Sequence, residues 1–198
     1  MLGYELKRYR IILASRSLRR RQLLEELGLE FTVVEKDYDE TFPDNLSGEA
    51  TALWLAGRKA ALFRNSLLPD EIVITADTVV WCGGRILDKP SGEEEAREMI
   101  RILSGKTHEV ITGVNLMAKS AERIFSDTTR VTFGILSEEE ISYYVENFRP
   151  YDKAGAYGIQ EWIGLVACSR IEGSYFNVVG LPVHLIYREL RELIKNLN

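Results

Sequence analysis

In "ASRSLRRRQLLEELG", residues 14–28, a run of arginines follows a serine of the kind that caps helices. With Ser17 as the cap, Arg19 and Arg20 fall in the first turn, where unpaired amides and the helix dipole already concentrate positive charge. A cation placed there costs about 0.3 to 1 kcal/mol unless an anion joins it. Phosphate is a fitting occupant. Arg19 and Arg20 are therefore candidates for anion binding, with solvated arginines as the plainer alternative. Arg21 has Glu25 one turn on as its expected ion-pair partner. Arg16 receives no role from spacing.

Asp77 is the second chemical signal. In "IVITADTVVW", residues 72–81, it interrupts apolar and β-branched residues, and a carboxylate buried without a partner is costly. It requires a cation. A two-residue turn at Gly83-Gly84 would set Val79 opposite Asp88 and Thr78 opposite Lys89, bringing an acid and a base to its neighbourhood. A site acid and a structural salt bridge at the sheet edge both fit these residue types. Asp39 and Glu40 form an acidic pair in a loop; such carboxylates hold Mg²⁺ together with substrate phosphates, or are simply solvated. In "DKAGAYGIQ", residues 152–160, glycines beside Lys153 let backbone amides approach a ligand, and Gln160 offers a donor and an acceptor. Uracil and thymine present the matching edge. A turn into the next strand is the alternative. Ser174 and Asn177 fit either a polar site or turns. His108 and His184 are isolated, and Trp54, Trp81 and Trp162 suit packing.

These residues need elements to position them. An apolar run at 10–14 predicts a strand, Ser17 to Gly28 a helix, and "FTVV" at 31–34 a second strand. A helix is expected over 47–63, and "EIVITADTVVWC" is a long strand ending at the glycine turn. Ser91 with Glu94, and Ser137 with Glu140, have capping-box spacing ahead of two further helices, the second closed by Pro150. Between them lie strands "THEVITGVNLMA" and "TTRVTFGIL". After the glycine-rich stretch, "VHLIYRELRELIKNL" predicts an amphipathic terminal helix. The order is α/β, and the hairpin makes the sheet mixed.

Composition narrows the classes. With 198 residues, 45% of them hydrophobic, the chain can bury a core of its own, and no repeat or linker divides it. A formal net charge of -5 argues against a protein that coats nucleic acid. Two cysteines without CxxC spacing, Cys82 and Cys168, suggest reduced thiols and a cytoplasmic setting. No signal-peptide pattern and no apolar run of about 18 residues is present, so membrane insertion is not expected. GxxxxGK[ST], GxGxxG, HExxH and GxSxG are all missing. An anion site, a buried acid and loop carboxylates suggest metal-assisted phosphoryl chemistry, and spacing alone leads no further.

The segments "LASRSLRRRQLL", "GRKAALF", "TADTVV", "LDKP", "LSGKTHEVITGV", "DKAGAYGIQ" and "GSYFNVVGLP" together resemble the Maf family of nucleoside triphosphate pyrophosphatases. Each is weak alone; in this order, spanning about 11–190, they are specific. The resemblance implies a single Maf-like domain over 1–198. It also implies an elongated mixed α/β sheet with flanking helices and two lobes around a cleft, related to inosine triphosphate pyrophosphatases. The implied reaction is hydrolysis of a nucleoside triphosphate to the monophosphate and pyrophosphate with Mg²⁺ or Mn²⁺, a house-cleaning step in nucleotide metabolism. Family members are commonly homodimers.

Residue by residue, the family's proton acceptor matches Asp77, and its specificity positions match Arg19, Thr78 and Gln160. Glu40 matches a further acid, and Lys59 and Lys89 match phosphate-facing lysines that would act with Arg20. Asp77 and Glu40 are then the metal candidates, and whether Asp77 takes the proton or holds the ion stays open. Arg19, where the branch acting on 7-methyl-GTP has tryptophan, would repel a cationic base, so the resemblance is to the dTTP and UTP branch, with modified uridine triphosphates as further candidates. Leu18 stands where the family usually has proline, and Glu161 and Trp162 follow Gln160 where many members have a glycine, a bulky pair that could narrow the base pocket. A nucleotide-binding regulator of cell division without essential catalysis is the alternative from another class.

Overall fold

The computed structural model describes residues 5–43 and 45–197. Among them, a seven-stranded sheet is built from β1 (Arg10–Leu13), β2 (Phe31–Val33), β3 (Glu71–Cys82), β4 (Arg85–Leu87), β5 (Thr107–Ala118), β6 (Glu122–Phe133) and β7 (Cys168–Glu172). The strand order is β2-β1-β3-β5-β6-β7, and β4 pairs with β3. The helices are α1 (Leu18–Glu26), α2 (Gly48–Ala61), α3 (Glu93–Leu103), α4 (Glu138–Phe148), α5 (Trp162–Val166), α6 (Tyr175–Val179) and α7 (Val183–Leu197). Parallel β1–β2 and β1–β3 pairs coexist with antiparallel β3–β4 and β6–β7 pairs, so the sheet is mixed, as expected. No helix among the described residues is long and apolar enough to cross a membrane.

The chain divides into two compact units, one of 1–77, 112–127 and 180–198, the other of 78–111 and 128–179. In the first, Ile11, Ile12 and Leu13 are all buried, which is why β1 is a continuous apolar run rather than an alternating one. Ser17 and Ser47 cap α1 and α2, each side chain accepting from the backbone three residues on. Helix α2 buries Ala52, Leu55, Ala56 and Ala60. A Cβ on Gly113 of β5 would lie 2.3 Å from the Ala52 carbonyl oxygen, so only glycine lets this strand meet the helix backbone. Thr75 of β3 ties the same helix down by donating its hydroxyl to the Ala56 carbonyl at 2.7 Å.

In the second unit, Gly83 and Gly84 adopt φ of 59° and 82°, the two positive values a tight hairpin turn requires. The β3–β4 register follows the predicted one, with Val80 opposite Leu87 and Cys82 opposite Arg85. Arg97 and Arg101 of α3 pair with Glu146 and Glu138 of α4, at 2.9 and 2.8 Å. Three expectations are corrected. Helix α3 begins with Gly92 as its cap, and Ser91 bonds Glu95 rather than Glu94. Strand β6 begins at Glu122, ahead of the expected threonines. The glycine-rich stretch holds helices α5 and α6, too short to show periodicity.

His108 is packed edge-on to Phe133 and Tyr157, with Nε2 hydrogen-bonded to the Tyr157 hydroxyl at 2.8 Å and Nδ1 buried without a hydrogen-bond partner. Burial holds the imidazole down at about 4, from an ordinary 6.5. Between those values the unfolded chain binds a proton and the folded chain does not. Folding stability therefore falls as pH drops through the window, by a total of about 3 kcal/mol. Urea unfolding at pH 7, 6 and 5 should show this slope in the wild type and lose it in His108→Leu.

Candidate active site

Side chains two apart on a strand share a face, so Thr75 and Asp77 both face α2. On the helix, Ala56 and Lys59 are three apart and lie on one side. The hydroxyl–carbonyl contact between Thr75 and Ala56 therefore brings Lys59 to Asp77. The Lys59 ammonium bonds Asp77 Oδ2 and reaches the Ala76 carbonyl at 3.2 Å, and the two side chains are each only 15% exposed. The cation that Asp77 required is supplied by Lys59, in the last turn of α2, where positive charge also complements the helix dipole.

Tyr38 completes the arrangement. Its hydroxyl lies 2.9 Å from Glu40 Oε1 and 3.1 Å from Asp77 Oδ2, and the Lys59 ammonium sits 4.8 Å from the centre of its ring. Sequence reasoning missed this tyrosine, because a single aromatic in a loop has no pattern to mark it. Asp39 does not share Glu40's role; it accepts from Thr41 at the backbone amide (3.0 Å) and hydroxyl (2.7 Å), closing a local turn.

Arg20 donates from Nε to the Gly180 carbonyl (2.9 Å) and from Nη1 to the Ser15 hydroxyl (3.4 Å). Burial holds its guanidinium below the ordinary arginine value, while the Asp77 charge pulls the other way. The same opposition acts on Lys59, where burial again prevails and lowers the ammonium. Burial, followed by the charges of Asp77 and Glu40, pushes the Tyr38 phenol far up, so it stays a neutral hydroxyl. The cluster thus holds partly desolvated cations around one carboxylate, a setting that suits a polyphosphate. Arg19 is half-buried in the first turn of α1. The Arg21–Glu25 pair does not form: Arg21 Nε is buried without a hydrogen-bond partner and Glu25 is exposed. Arg16 is occupied by Glu35 (3.2 Å) and Asp37.

In the second unit, Thr78 is half-buried in β3, and Lys89 is exposed just beyond β4, its amide donating to Asp88 Oδ1 at 2.7 Å. Gln160 is exposed within a turn closed by the Glu161 amide on the Gly158 carbonyl (3.0 Å). That turn is anchored by Tyr144 of α4, whose hydroxyl accepts from the Gly158 amide at 3.0 Å and donates to Glu161 Oε2. Lys153 pairs with Glu161 Oε1 (3.1 Å) and Asp152 (2.7 Å) and is buried. Lys153 thus braces the loop. Asn177 is buried and donates to the Val110 carbonyl and the Thr129 hydroxyl, both at 3.0 Å, which is the structural reading of that residue.

A family model described as Maf-like protein matches residues 10–193. The chain belongs to the Maf-like family. Among curated relatives, the dTTP/UTP pyrophosphatase of Phocaeicola vulgatus is 53% identical over 95% of this chain and 98% of its own. Its namesake in Bacteroides fragilis is 51% identical over the same shares, and that of Flavobacterium johnsoniae is 47% identical over 98% and 100%. A solved dITP/XTP pyrophosphatase from Mycobacterium abscessus aligns with a TM-score of 0.42 at 14% identity, over 96% of this chain and 100% of that one, too weakly to carry an argument.

Maf pyrophosphatases are generally metal-dependent. Among the described residues no group of three or more His, Cys, Asp and Glu side chains gathers to ligate a metal. Asp77 and Glu40, joined through one hydroxyl, nevertheless fit Mg²⁺ or Mn²⁺, because such ions take one or two carboxylates and complete their shell with substrate phosphate and water.

In this Maf-like chain Leu18 opens α1 and is 72% exposed, so the position where the family's proline was expected contributes little to the core. Glu161 is held by Tyr144 and Lys153, and Trp162 lies edge-on to Tyr143 at 4.9 Å. Tyr144→Phe should lower unfolding free energy by about 1–3 kcal/mol, because it strips a donor from Glu161 and an acceptor from the Gly158 amide. In urea titrations, Tyr144→Phe and Glu161→Ala together should cost less than their separate costs added.

Proposed function

We propose that this chain hydrolyses dTTP and UTP to the monophosphate and pyrophosphate, by attack of water on the α-phosphorus. Modified uridine triphosphates are further substrates of the same chemistry. The observation that carries the reading is Asp77, a carboxylate set among Lys59, Arg20 and Tyr38 in a chain about half identical to dTTP/UTP pyrophosphatases.

In this mechanism Asp77 accepts the proton of the attacking water. Arg20, Lys59 and Lys89 neutralise the triphosphate and the charge that gathers on departing pyrophosphate. Lys59 and Arg20 have already given up part of their hydration, so a bound phosphate replaces little water. A divalent cation held by Asp77 and Glu40 would lower the pKa of a bound water and offset phosphate charge. Arg19, Thr78 and Gln160 select the base: the Gln160 amide complements the donor and acceptor of uracil and thymine, and Arg19 repels a cationic base. We place the reaction in the cytoplasm, with nucleotides rather than nucleic acid as partners. A regulator that only binds nucleotide has no use for a proton acceptor at Asp77, and no feature favours it.

With Mg²⁺ or Mn²⁺, UTP and dTTP should release pyrophosphate and no orthophosphate. Asp77→Asn should slow this about 10²- to 10⁴-fold while the protein stays folded. Unchanged release would remove Asp77 from the chemistry. Equal kcat/KM for UTP and 7-methyl-GTP would remove the case for base selection by Arg19 and Gln160.

A further inference from the structure

Tyr38 presents one hydroxyl to two carboxylates, Glu40 Oε1 at 2.9 Å and Asp77 Oδ2 at 3.1 Å. Its position is not casual. The ring is half-buried and lies 4.8 Å from the Lys59 ammonium, which itself bonds Asp77 Oδ2. A phenol in this place cannot swing freely without giving up both the ring contact and the carboxylates.

A divalent cation held by Glu40 and Asp77 would need lone pairs on oxygens of the same two carboxylates. Held on the oxygens that now face the phenol, Glu40 Oε1 and Asp77 Oδ2, it would have to displace that hydroxyl. The phenol has one hydrogen to share between the two carboxylates, and as a neutral hydroxyl it is a much weaker metal ligand than either. We propose that Tyr38 competes with the divalent metal for Glu40 and Asp77, and so sets the metal concentration at which the site loads. The inference rests on the reading of those two acids as the metal-holding pair. Tyr38 is a positioning residue in this role: it acts on the carboxylates and takes no part in bond breaking.

The hydroxyl must be displaced, so its removal should tighten metal binding. Hydrogen bonds to charged groups are stronger than neutral ones, and losing their competition should improve affinity for Mn²⁺ about three- to tenfold. The test is direct titration of the protein with Mn²⁺ alone, free Mn²⁺ being counted by its paramagnetic resonance signal, with no nucleotide present. Tyr38→Phe keeps the ring over Lys59 and removes only the hydroxyl. Tyr38→Leu removes both and should also bind Mn²⁺ more tightly, so the outcome does not hang on one variant folding. Melting temperature in the absence of metal reports folding separately.

Equal or weaker Mn²⁺ binding in Tyr38→Phe, with wild-type binding that Asp77→Asn weakens, would overturn competition while leaving the two acids as ligands. Binding unaffected by both Asp77→Asn and Glu40→Gln would overturn the metal pair itself, and the inference with it.

Discussion

Placing a carboxylate in the apolar strand β3 is the demand that organises the first unit. A buried charge is tolerated only with a close, hydrogen-bonded partner, because the protein interior replaces little of the hydration it removes. Asp77 meets that demand with Lys59, and Lys59 can reach it only because α2 lies against the sheet. Gly113 permits that approach by having no side chain, and the Thr75 hydroxyl holds it. Thus a backbone contact at one end of α2 determines where an ammonium stands at the other. Arg20 and Tyr38 add charge and donors to the same carboxylate. The cost of desolvating these groups is visible in the lowered Lys59 and Arg20 and the raised Tyr38.

The second unit uses the same rule in a different material. Tyr144, Glu161, Lys153 and Asp152 link a helix to a loop, each polar group finding a partner, so the turn that carries Gln160 is held from beneath while Gln160 itself stays exposed. Such a connected network is worth more than its separate bonds, since losing one member leaves another buried and unmatched. His108 shows the contrasting solution. Its ring is kept neutral among aromatic neighbours, where a proton has no counter-charge to meet.

Much of this was legible in the residues alone. Ser17 and Ser137 each mark the start of a helix because a serine oxygen can accept from an amide three residues later, a local geometry independent of the rest of the chain. Gly83-Gly84 defined the hairpin, and the register of its strands followed from chain connectivity. Asp77 stood out because its polarity contradicted its neighbours. By contrast, Ser91 had Glu94 and Glu95 within reach, and only the start of α3 selects between them. Arg21 and Glu25 had the right separation for an ion pair, yet Arg21 turns toward the protein and Glu25 toward water. Five-residue helices α5 and α6 are shorter than the period that would reveal them.

What the sequence determined by itself was local: most of the segments that form strands and helices, several of the caps and turns that bound them, and that one acid in β3 must have a cationic partner. It also carried, through its motifs, the family to which the chain belongs. Which cation meets Asp77, that Tyr38 joins it to Glu40, that Asp39 serves a turn instead, and that Lys153 braces a loop were decided only by the tertiary structure. The reason is physical. Caps, turns and periodicity depend on residues a few positions apart, whereas ion pairs between elements depend on distances set by packing, where one missing Cβ at Gly113 can decide what meets what.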